Sequence, residues 1–203
     1  MSSFFKDKIF CIGSCKTGTS SIAEALTKFG SNHCYGQVNF TNKWLPSILE
    51  NKYEGLFLVI DKYDSFDDLP FAHGEFYKVL YEKYPSAKFI LTERDPEGWY
   101  CSTLREINRK GDFVGFRKHV SSSYGDDAFV NKERRQEIKQ IFEKRNSSIK
   151  TFFKDDPGKL LVLNINTDDK TKSLILKKFL GSSKDIGLFP HVNGPKRKRR
   201  SKV

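Results

Sequence analysis

The sequence predicts an α/β domain of three layers, with a mostly parallel central sheet flanked by helices. Short runs of β-branched or aromatic residues alternate along the chain with amphipathic stretches, an order of elements typical of parallel sheets. The short runs are nearly all apolar, as strands covered on both faces should be. Four strands are predicted, over residues 8–13, 55–61, 87–92 and 160–165. The third and fourth follow turn sequences that contain proline, Tyr84-Pro85-Ser86 and Asp156-Pro157-Gly158.

Helical periodicity predicts five helices between and after these strands. They cover residues 19–29, 71–83, 97–108, 132–153 and 172–180. The third begins after Pro96, and the last ends at Gly181, as helix starts and stops commonly do. Residues 111–127 show no clear period and contain three glycines, so this segment is predicted as a mobile loop or lid.

Length, charge and cysteine usage restrict the class of protein. At 203 residues the chain is long enough for one domain, predicted over 1–193. Six of its 36 Lys and Arg lie in residues 194–203, which are predicted to form a basic, disordered tail. Apolar runs are too short for a membrane span or a signal peptide, and Cys11, Cys15, Cys34 and Cys101 show no disulfide or zinc spacing. A cytoplasmic protein is expected, with nuclear entry through the 195–202 basic run as an alternative.

The turn after the first predicted strand has the composition of an anion-binding site. Residues 13–21 read GSCKTGTSS and open the first predicted helix. Backbone N–H groups, the helix dipole and several hydroxyls therefore converge on one point, to which Lys16 adds a full charge. The glycine spacing matches the NTPase P-loop, but Thr19 occupies the position of the P-loop lysine. This difference argues against ATP or GTP hydrolysis with magnesium; an ordinary strand-to-helix turn is the alternative.

A second motif follows the third predicted strand. The segment 88–102 reads KFILTERDPEGWYCS, and together with KTGTSS of the turn it resembles sulfotransferases that use 3′-phosphoadenosine-5′-phosphosulfate (PAPS). The resemblance covers about residues 8–193 and implies a P-loop NTPase-like fold. It implies that Arg94 and Ser102 hold the 3′-phosphate of PAPS. The 5′-phosphosulfate would be held by Cys15, Lys16, Thr17, Gly18, Thr19, Ser20 and Ser21.

The sequence departs from the family pattern at three places. Cys15 stands where these proteins usually have proline, Glu93 where they usually have an apolar residue, and residues 168–171 where they usually have a Gly-Trp element. Glu93 should face the opposite side of its strand from Arg94.

The resemblance also implies a mechanism, in which a loose in-line transfer needs placement and charge stabilisation. Lys16 is expected to stabilise charge on the departing phosphate. Asp68 is the first candidate for the base that activates the acceptor, and His73 is the second. Capping of a helix near Phe71 is the structural alternative for Asp68. No metal ligand spacing appears, so no metal requirement is expected.

No motif in the sequence identifies the acceptor. A hydroxyl or amine acceptor is expected, with residues 32–44 and 111–127 as the walls of its pocket. Three other functions stay open. They are a P-loop nucleotide or small-molecule kinase, a protein that binds 3′-phosphonucleotides without turnover, and weak nucleic-acid contacts by the basic tail.

Overall fold

A single parallel sheet forms the centre of the molecule. The structure, a computed structural model, describes residues 7–35, 37–109 and 114–192. Within these ranges the sheet has four strands: β1 (Ile9–Cys11), β2 (Ser65–Phe66), β3 (Lys88–Glu93) and β4 (Leu160–Asn164). Their order is β2-β1-β3-β4, and all three pairings are parallel. The predicted α/β class with a parallel sheet is therefore confirmed.

Strand β1 is a topological switch point. Ile9 lies opposite Ser65 of β2 on one side and Lys88 of β3 on the other. The chain leaves β1 toward one edge of the sheet and later crosses to the other. In open parallel sheets a crevice forms at the carboxyl ends of the strands where the order reverses, and ligands bind there. The turn 13–21 begins at this crevice.

Helices cover both faces of the sheet. They are α1 (Thr19–Phe29), α2 (Gln37–Leu49), α3 (Glu54–Ile60), α4 (Phe76–Lys83), α5 (Pro96–Asn108), α6 (Val114–Tyr124), α7 (Arg135–Phe152) and α8 (Asp169–Leu180). The side chain of Asp95 caps α5 by accepting a hydrogen bond from the backbone N–H of Gly98. Gly30 ends α1 in the left-handed conformation, which glycine adopts without steric cost.

Two apolar cores result, one on each face. On one face, Ile9 and Ile90 of the sheet pack with Leu26 of α1 and Leu176 of α8. On the other, phenylalanines of the sheet form an aromatic cluster with residues from α3, α4 and α7; its ring contacts include Phe10, Phe66, Phe71, Phe89 and Phe153. The layers are thus helix, sheet and helix, as predicted.

The predicted strand over residues 55–61 is wrong, because this segment is helix α3. Leu56 and Ile60, four residues apart, are fully buried, whereas Leu58 between them is 68% exposed. That burial follows the 3.6-residue period of a helix, and a five-residue apolar run does not distinguish the two structures. The second strand is instead the two-residue β2, which the sequence pattern did not reveal.

Three other expectations need correction. Residues 114–124 of the predicted loop 111–127 form helix α6, while residues 111–113 lie outside the described ranges. Helix α2 covers most of the segment 32–44. Helix α4 begins at Phe76 with Glu75 at its N-cap, so Asp68 does not cap it.

The described chain ends at residue 192, so the tail and the boundary at 193 stay predictions. No helix in the described ranges is long and apolar enough to cross a membrane.

Gly13 is required by the close approach of β3. A Cβ at this position would meet the Thr92 hydroxyl and lie 2.7 Å from the Thr92 backbone nitrogen. We expect Gly13→Ala to lower the free energy of unfolding by about 2–3 kcal/mol, since buried backbone cannot move aside cheaply. The matched control is Gly158→Ala, whose Cβ meets nothing within 4 Å. Urea unfolding of both variants tests this, and equal effects would contradict it.

Candidate active site

A cavity of about 400 Å³ lies at the carboxyl ends of the strands. Eight of the residues predicted from the sequence line it together: Lys16, Gly18, Thr19, Ser20, Ser21, Asp68, Arg94 and Ser102. They come from the turn after β1, the segment after β2, the end of β3, and α5. The switch point of the sheet therefore brings three distant stretches of sequence to one cavity.

The turn is shaped by two residues in the left-handed conformation. Gly18, with φ 93°, precedes the first residue of α1, and Lys16 has φ 71°. No acidic residue occupies the first turn of α1, so no carboxylate of the helix itself competes for its positive end, although Asp68 from the segment after β2 contacts Thr19. The hydroxyls of Thr19, Ser20 and Ser21 follow directly. This arrangement suits an anionic group.

Two members of the predicted turn have structural contacts. Thr17 is fully buried, and its Oγ1 donates to the Ser14 carbonyl at 2.5 Å and lies 2.5 Å from Thr92 Oγ1. Cys15 is also buried, and its carbonyl accepts a hydrogen bond from Trp99 Nε1 at 3.1 Å. Neither side chain lines the cavity. Both residues hold the turn in place, and their backbone contributes to this, since Thr17 N–H donates to the Ser14 carbonyl at 3.3 Å.

Lys16 forms an ion pair that the sequence did not predict. Its Nζ lies 3.0 Å from Glu106 Oε2, and the two side chains are 28% and 17% exposed. Glu106 also pairs with Arg109 at 3.2 Å. The position of Glu106, one helical turn after Ser102 on α5, was the only available signal. Lys16 thus has a carboxylate partner beside the cavity that a bound anion must replace.

Arg94 extends from the end of β3 and contacts the turn. Its Nη1 donates to the Lys16 carbonyl at 3.2 Å. Among the described residues no carboxylate forms an ion pair with Arg94 or with Arg105. Arg105 lies three residues after Ser102 on α5 and lines the same cavity. Two guanidinium groups and a hydroxyl therefore lie together, the donor set that recognises a terminal phosphate.

The carboxyl-terminal part of the described chain forms another wall of the cavity, in which Lys172 is a residue that the sequence analysis missed. Lys172 is almost fully buried beside the cavity, with Nζ 3.0 Å from Asp169 Oδ1 and 5.0 Å from the Phe189 ring centroid. Val192 N donates to Ser21 Oγ at 3.1 Å, which places this segment against α1. His191 Nε2 lies 2.7 Å from Asp169 Oδ2.

Asp68 presents a carboxylate to the cavity in an unusual setting. Its backbone is left-handed, with φ 58°. Its Oδ2 accepts from Thr19 Oγ1 at 3.1 Å and its Oδ1 from the Leu69 backbone at 2.9 Å. Burial and the neighbouring Asp67 raise the pKa of Asp68. Burial likewise raises the pKa of the Cys15 thiol, which stays protonated and donates a hydrogen bond to Asp68. A carboxylate with a raised pKa is suited to accept a proton near neutral pH.

The structure does not bring His73 to this cavity. His73 lines a second cavity of about 350 Å³, where its Nδ1 lies 2.9 Å from His119 Nδ1. Burial, with a contribution from Arg145, lowers the pKa of His73 to about 4. Of the two candidate bases, only Asp68 lies beside the predicted anion site.

The charges of the first cavity suit a polyanion. Lys16, Arg94, Arg105 and Lys172 surround one cavity that holds a single predicted carboxylate, Asp68. Its volume of about 400 Å³ is in the range of small-molecule sites. The residues present therefore fit a nucleotide with phosphate groups at both ends. In the described ranges no group of three or more His, Cys, Asp or Glu side chains is placed to hold a metal ion.

Comparison with known proteins identifies the family of the chain. The model of the sulfotransferase domain family matches residues 8–197. Ava biosynthesis cluster protein M of Aspergillus versicolor is 30% identical over 109 residues, which make up 47% of this chain and 41% of that protein. The match thus spans less than half the length of this curated relative.

A solved structure shows the same fold. The sulfotransferase from Alicyclobacillus acidocaldarius superposes with a TM-score of 0.51 at 16% identity, covering 95% of this chain and 87% of that one. At this identity the likeness concerns the fold alone. The family model, in contrast, covers nearly the whole chain, and this chain belongs to the sulfotransferase domain family.

Proposed function

We propose that the protein is a sulfotransferase that takes a sulfuryl group from PAPS and transfers it to a hydroxyl or amine acceptor. The observation that supports this most is the gathering of Lys16, Arg94 and Ser102 around one cavity at the start of α1. These residues come from the two motifs that the chain shares with PAPS-dependent enzymes. The alternative function of a kinase has less support, because Thr19 replaces the lysine that contacts the β- and γ-phosphates in P-loop enzymes.

The two ends of the cavity would hold the two phosphate ends of the donor. Arg94 and Ser102, joined by Arg105, offer N–H and O–H donors to the 3′-phosphate. The turn offers the backbone N–H groups at the start of α1, the hydroxyls of residues 19–21, and Lys16 to the 5′-phosphosulfate. PAPS itself supplies an activated sulfuryl group and a phosphate leaving group.

Charge stabilisation is the main task of the chain in this reaction. Lys16 exchanges its contact with Glu106 for the phosphate oxygens of the donor, where negative charge increases during transfer. Asp68, whose carboxylate contacts Thr19 of the turn, accepts the acceptor's proton, and its raised pKa favours proton uptake. The turn stays fixed meanwhile through the buried Thr17 and the hydrogen bond from Trp99 to Cys15.

The direct test uses sulfur-labelled PAPS and a panel of phenols, alcohols and amines. We expect transfer of label to at least one acceptor, together with release of adenosine 3′,5′-bisphosphate that depends on the acceptor. EDTA should leave the rate unchanged, since no metal requirement is proposed. Binding of adenosine 3′,5′-bisphosphate without turnover across the panel would favour a non-catalytic nucleotide-binding protein. Labelled transfer that stops with EDTA would contradict the mechanism.

Arg94→Met is expected to remove recognition of the 3′-phosphate. Loss of a hydrogen bond to a charged group costs about 1.5–3 kcal/mol, or roughly 10–150-fold in affinity for adenosine 3′,5′-bisphosphate. Affinity for ADP, which lacks that phosphate, should change little. Arg135→Met is the matched control, because Arg135 is half exposed and pairs with Glu97 on the surface. Isothermal titration calorimetry measures all three proteins, and equal losses for both nucleotides would contradict the role of Arg94.

A further inference from the structure

The second cavity, of about 350 Å³, is lined in part by the segment 111–127, which the sequence analysis expects to wall an acceptor pocket, but its buried charge has no role in the proposed sulfuryl transfer. It lies between the segment before α4 and helices α4, α6 and α7. Its walls include His73, Tyr77, His119, Tyr124 and Arg145. Cys15, Leu69 and Ala72 form a buried apolar cluster with Phe116, and none of the four lines either cavity. The two cavities share no lining residue.

Arg145 on α7 is the central feature of this cavity. Its Nη1 donates to the Ile12 carbonyl at 3.1 Å. Its Nε and Nη2 are buried and have no hydrogen-bond partner in the described part of the chain. No carboxylate of the described residues pairs with it; Glu75, in the same wall, pairs with Lys78 at 2.7 Å. A buried guanidinium without a counter-charge is costly, and burial accordingly lowers the pKa of Arg145.

The unpartnered atoms of Arg145 form one edge of its guanidinium group. Nε and Nη2 together are the pair that binds the two oxygens of a carboxylate through parallel N–H···O bonds. Tyr77 adds a third donor, since its hydroxyl is also buried without a partner. Three unpartnered donors thus belong to residues that line one cavity.

The charge of the cavity indicates a ligand with one negative charge. Burial lowers the pKa of His73 and of His119, and the positive charge of Arg145 contributes to both shifts. Both imidazoles are therefore neutral at pH 7, and the short contact between their Nδ1 atoms requires one to donate and the other to accept. Of the other charged residues in the lining, Lys144 is exposed and Glu75 pairs with Lys78, so Arg145 is the buried charge that remains, and one carboxylate balances it.

We propose that this cavity is a second ligand site, which binds the carboxylate of a small organic acid through Arg145 and Tyr77. The site is separate from the donor cavity, and it does not depend on the proposed sulfuryl transfer. Water does not reach these donors in the structure, so binding requires the guanidinium edge and the Tyr77 hydroxyl to turn toward the cavity. The carboxylate then supplies the acceptors that Arg145 Nε, Arg145 Nη2 and the Tyr77 hydroxyl lack. Tyr124 and Ile141 in the same walls offer apolar surface to the rest of the molecule.

Calorimetric titration with benzoate tests this site, with benzamide as the neutral control of the same shape. We expect benzoate to bind the wild-type chain and benzamide to bind at least about 10-fold more weakly. Arg145→Lys keeps the charge but loses the paired donors, and should weaken benzoate binding about 10-fold or more. Arg94→Met, in the donor cavity, should leave benzoate binding unchanged.

If Arg145→Lys does not fold, Tyr77→Phe provides a second variant with which to test the same site. It removes a buried hydroxyl that has no partner, so the variant should unfold at the wild-type temperature or above it, while benzoate binding weakens several-fold. Equal binding of benzoate and benzamide would overturn the proposal. So would unchanged benzoate affinity in Tyr77→Phe, competition between benzoate and adenosine 3′,5′-bisphosphate, or tighter binding of inorganic sulfate than of benzoate to the same site.

Discussion

Lys16→Met should lower the rate constant of sulfuryl transfer about 10²–10³-fold, the usual cost of losing one donor that stabilises transition-state charge. Lys16 is the cation of the turn, and its ammonium group lies 3.0 Å from Glu106 beside the cavity. Its contribution is expected mainly in the transition state, because charge on the leaving phosphate increases there. Binding of adenosine 3′,5′-bisphosphate should therefore weaken by a smaller factor than the rate.

Lys52→Met is the matched control for this variant. Lys52 also pairs with a glutamate, Glu50 at 2.9 Å, but its side chain is 74% exposed and does not line the cavity. Single-turnover rates at saturating donor separate binding from transfer. A Lys16→Met enzyme with a normal single-turnover rate and a raised Kd alone would show that Lys16 serves binding only.

Asp68→Asn should reduce transfer about 10²–10⁴-fold, the usual contribution of a general base. The amide keeps the size of the side chain but cannot take up the acceptor's proton. Asp155→Asn is the matched control, because the Asp155 side chain is 88% exposed and far from the cavity. Rates measured with an alcohol acceptor test the role most sharply, since an alcohol loses its proton less readily than a phenol. Equal rates in wild type and Asp68→Asn would remove Asp68 from the mechanism.

The same substitution should stabilise the protein at pH 7. The pKa of Asp68 is raised in the fold by burial and by Asp67, so the folded protein holds this proton more tightly than the unfolded chain. Stability is therefore lost as the pH rises from the unfolded pKa through the folded one, and the ionised carboxylate remains unfavourable above it. Asparagine resembles the protonated form. Asp68→Asn should melt above the wild type at pH 7, and the difference should shrink below the ordinary pKa of 3.8.

Thermal unfolding at several pH values measures this difference. Asp155→Asn should show no comparable gain, because its carboxylate is solvated in both states. A lower melting temperature for Asp68→Asn at pH 7 would mean that its hydrogen bonds from Thr19 and Leu69 outweigh the cost of burying the charge. A substitution that raises stability and lowers activity is expected where a functional residue is held in an energetically unfavourable environment.

Sequence patterns predicted the elements whose ends carry their own signals. Helix α1 has the predicted bounds because Gly18 and Gly30 begin and end it in the left-handed conformation. Strand β3 was found because it is buried on both faces and follows a proline turn. The prediction of a strand over residues 55–61 was wrong for the opposite reason. Their apolar run has no flanking signal that distinguishes a strand from the buried face of a helix.

The residues of the candidate site likewise fall into those that the sequence predicted and those that it did not. The turn and the segment 88–102 are continuous in sequence, so their composition was readable before the fold was known. Glu106, Arg105 and Lys172 reach the cavity or its edge only through tertiary packing. Lys16 and Glu106 are 90 residues apart, and no local pattern connects them. Helix α6 was missed because Gly115 and three serines weaken its period, although His119 and Tyr124 on it are buried.

The central claim, that the first cavity binds a 3′-phosphoadenosine nucleotide, is tested most directly by thermal unfolding with adenosine 3′,5′-bisphosphate and with ADP. At about 100 times Kd a ligand adds about 2.7 kcal/mol to the free energy of unfolding, which raises Tm by roughly 5–11 °C for a chain of this size. We predict this shift with adenosine 3′,5′-bisphosphate and a much smaller one with ADP at the same concentration. Equal shifts with both nucleotides, or none with either, would contradict the claim.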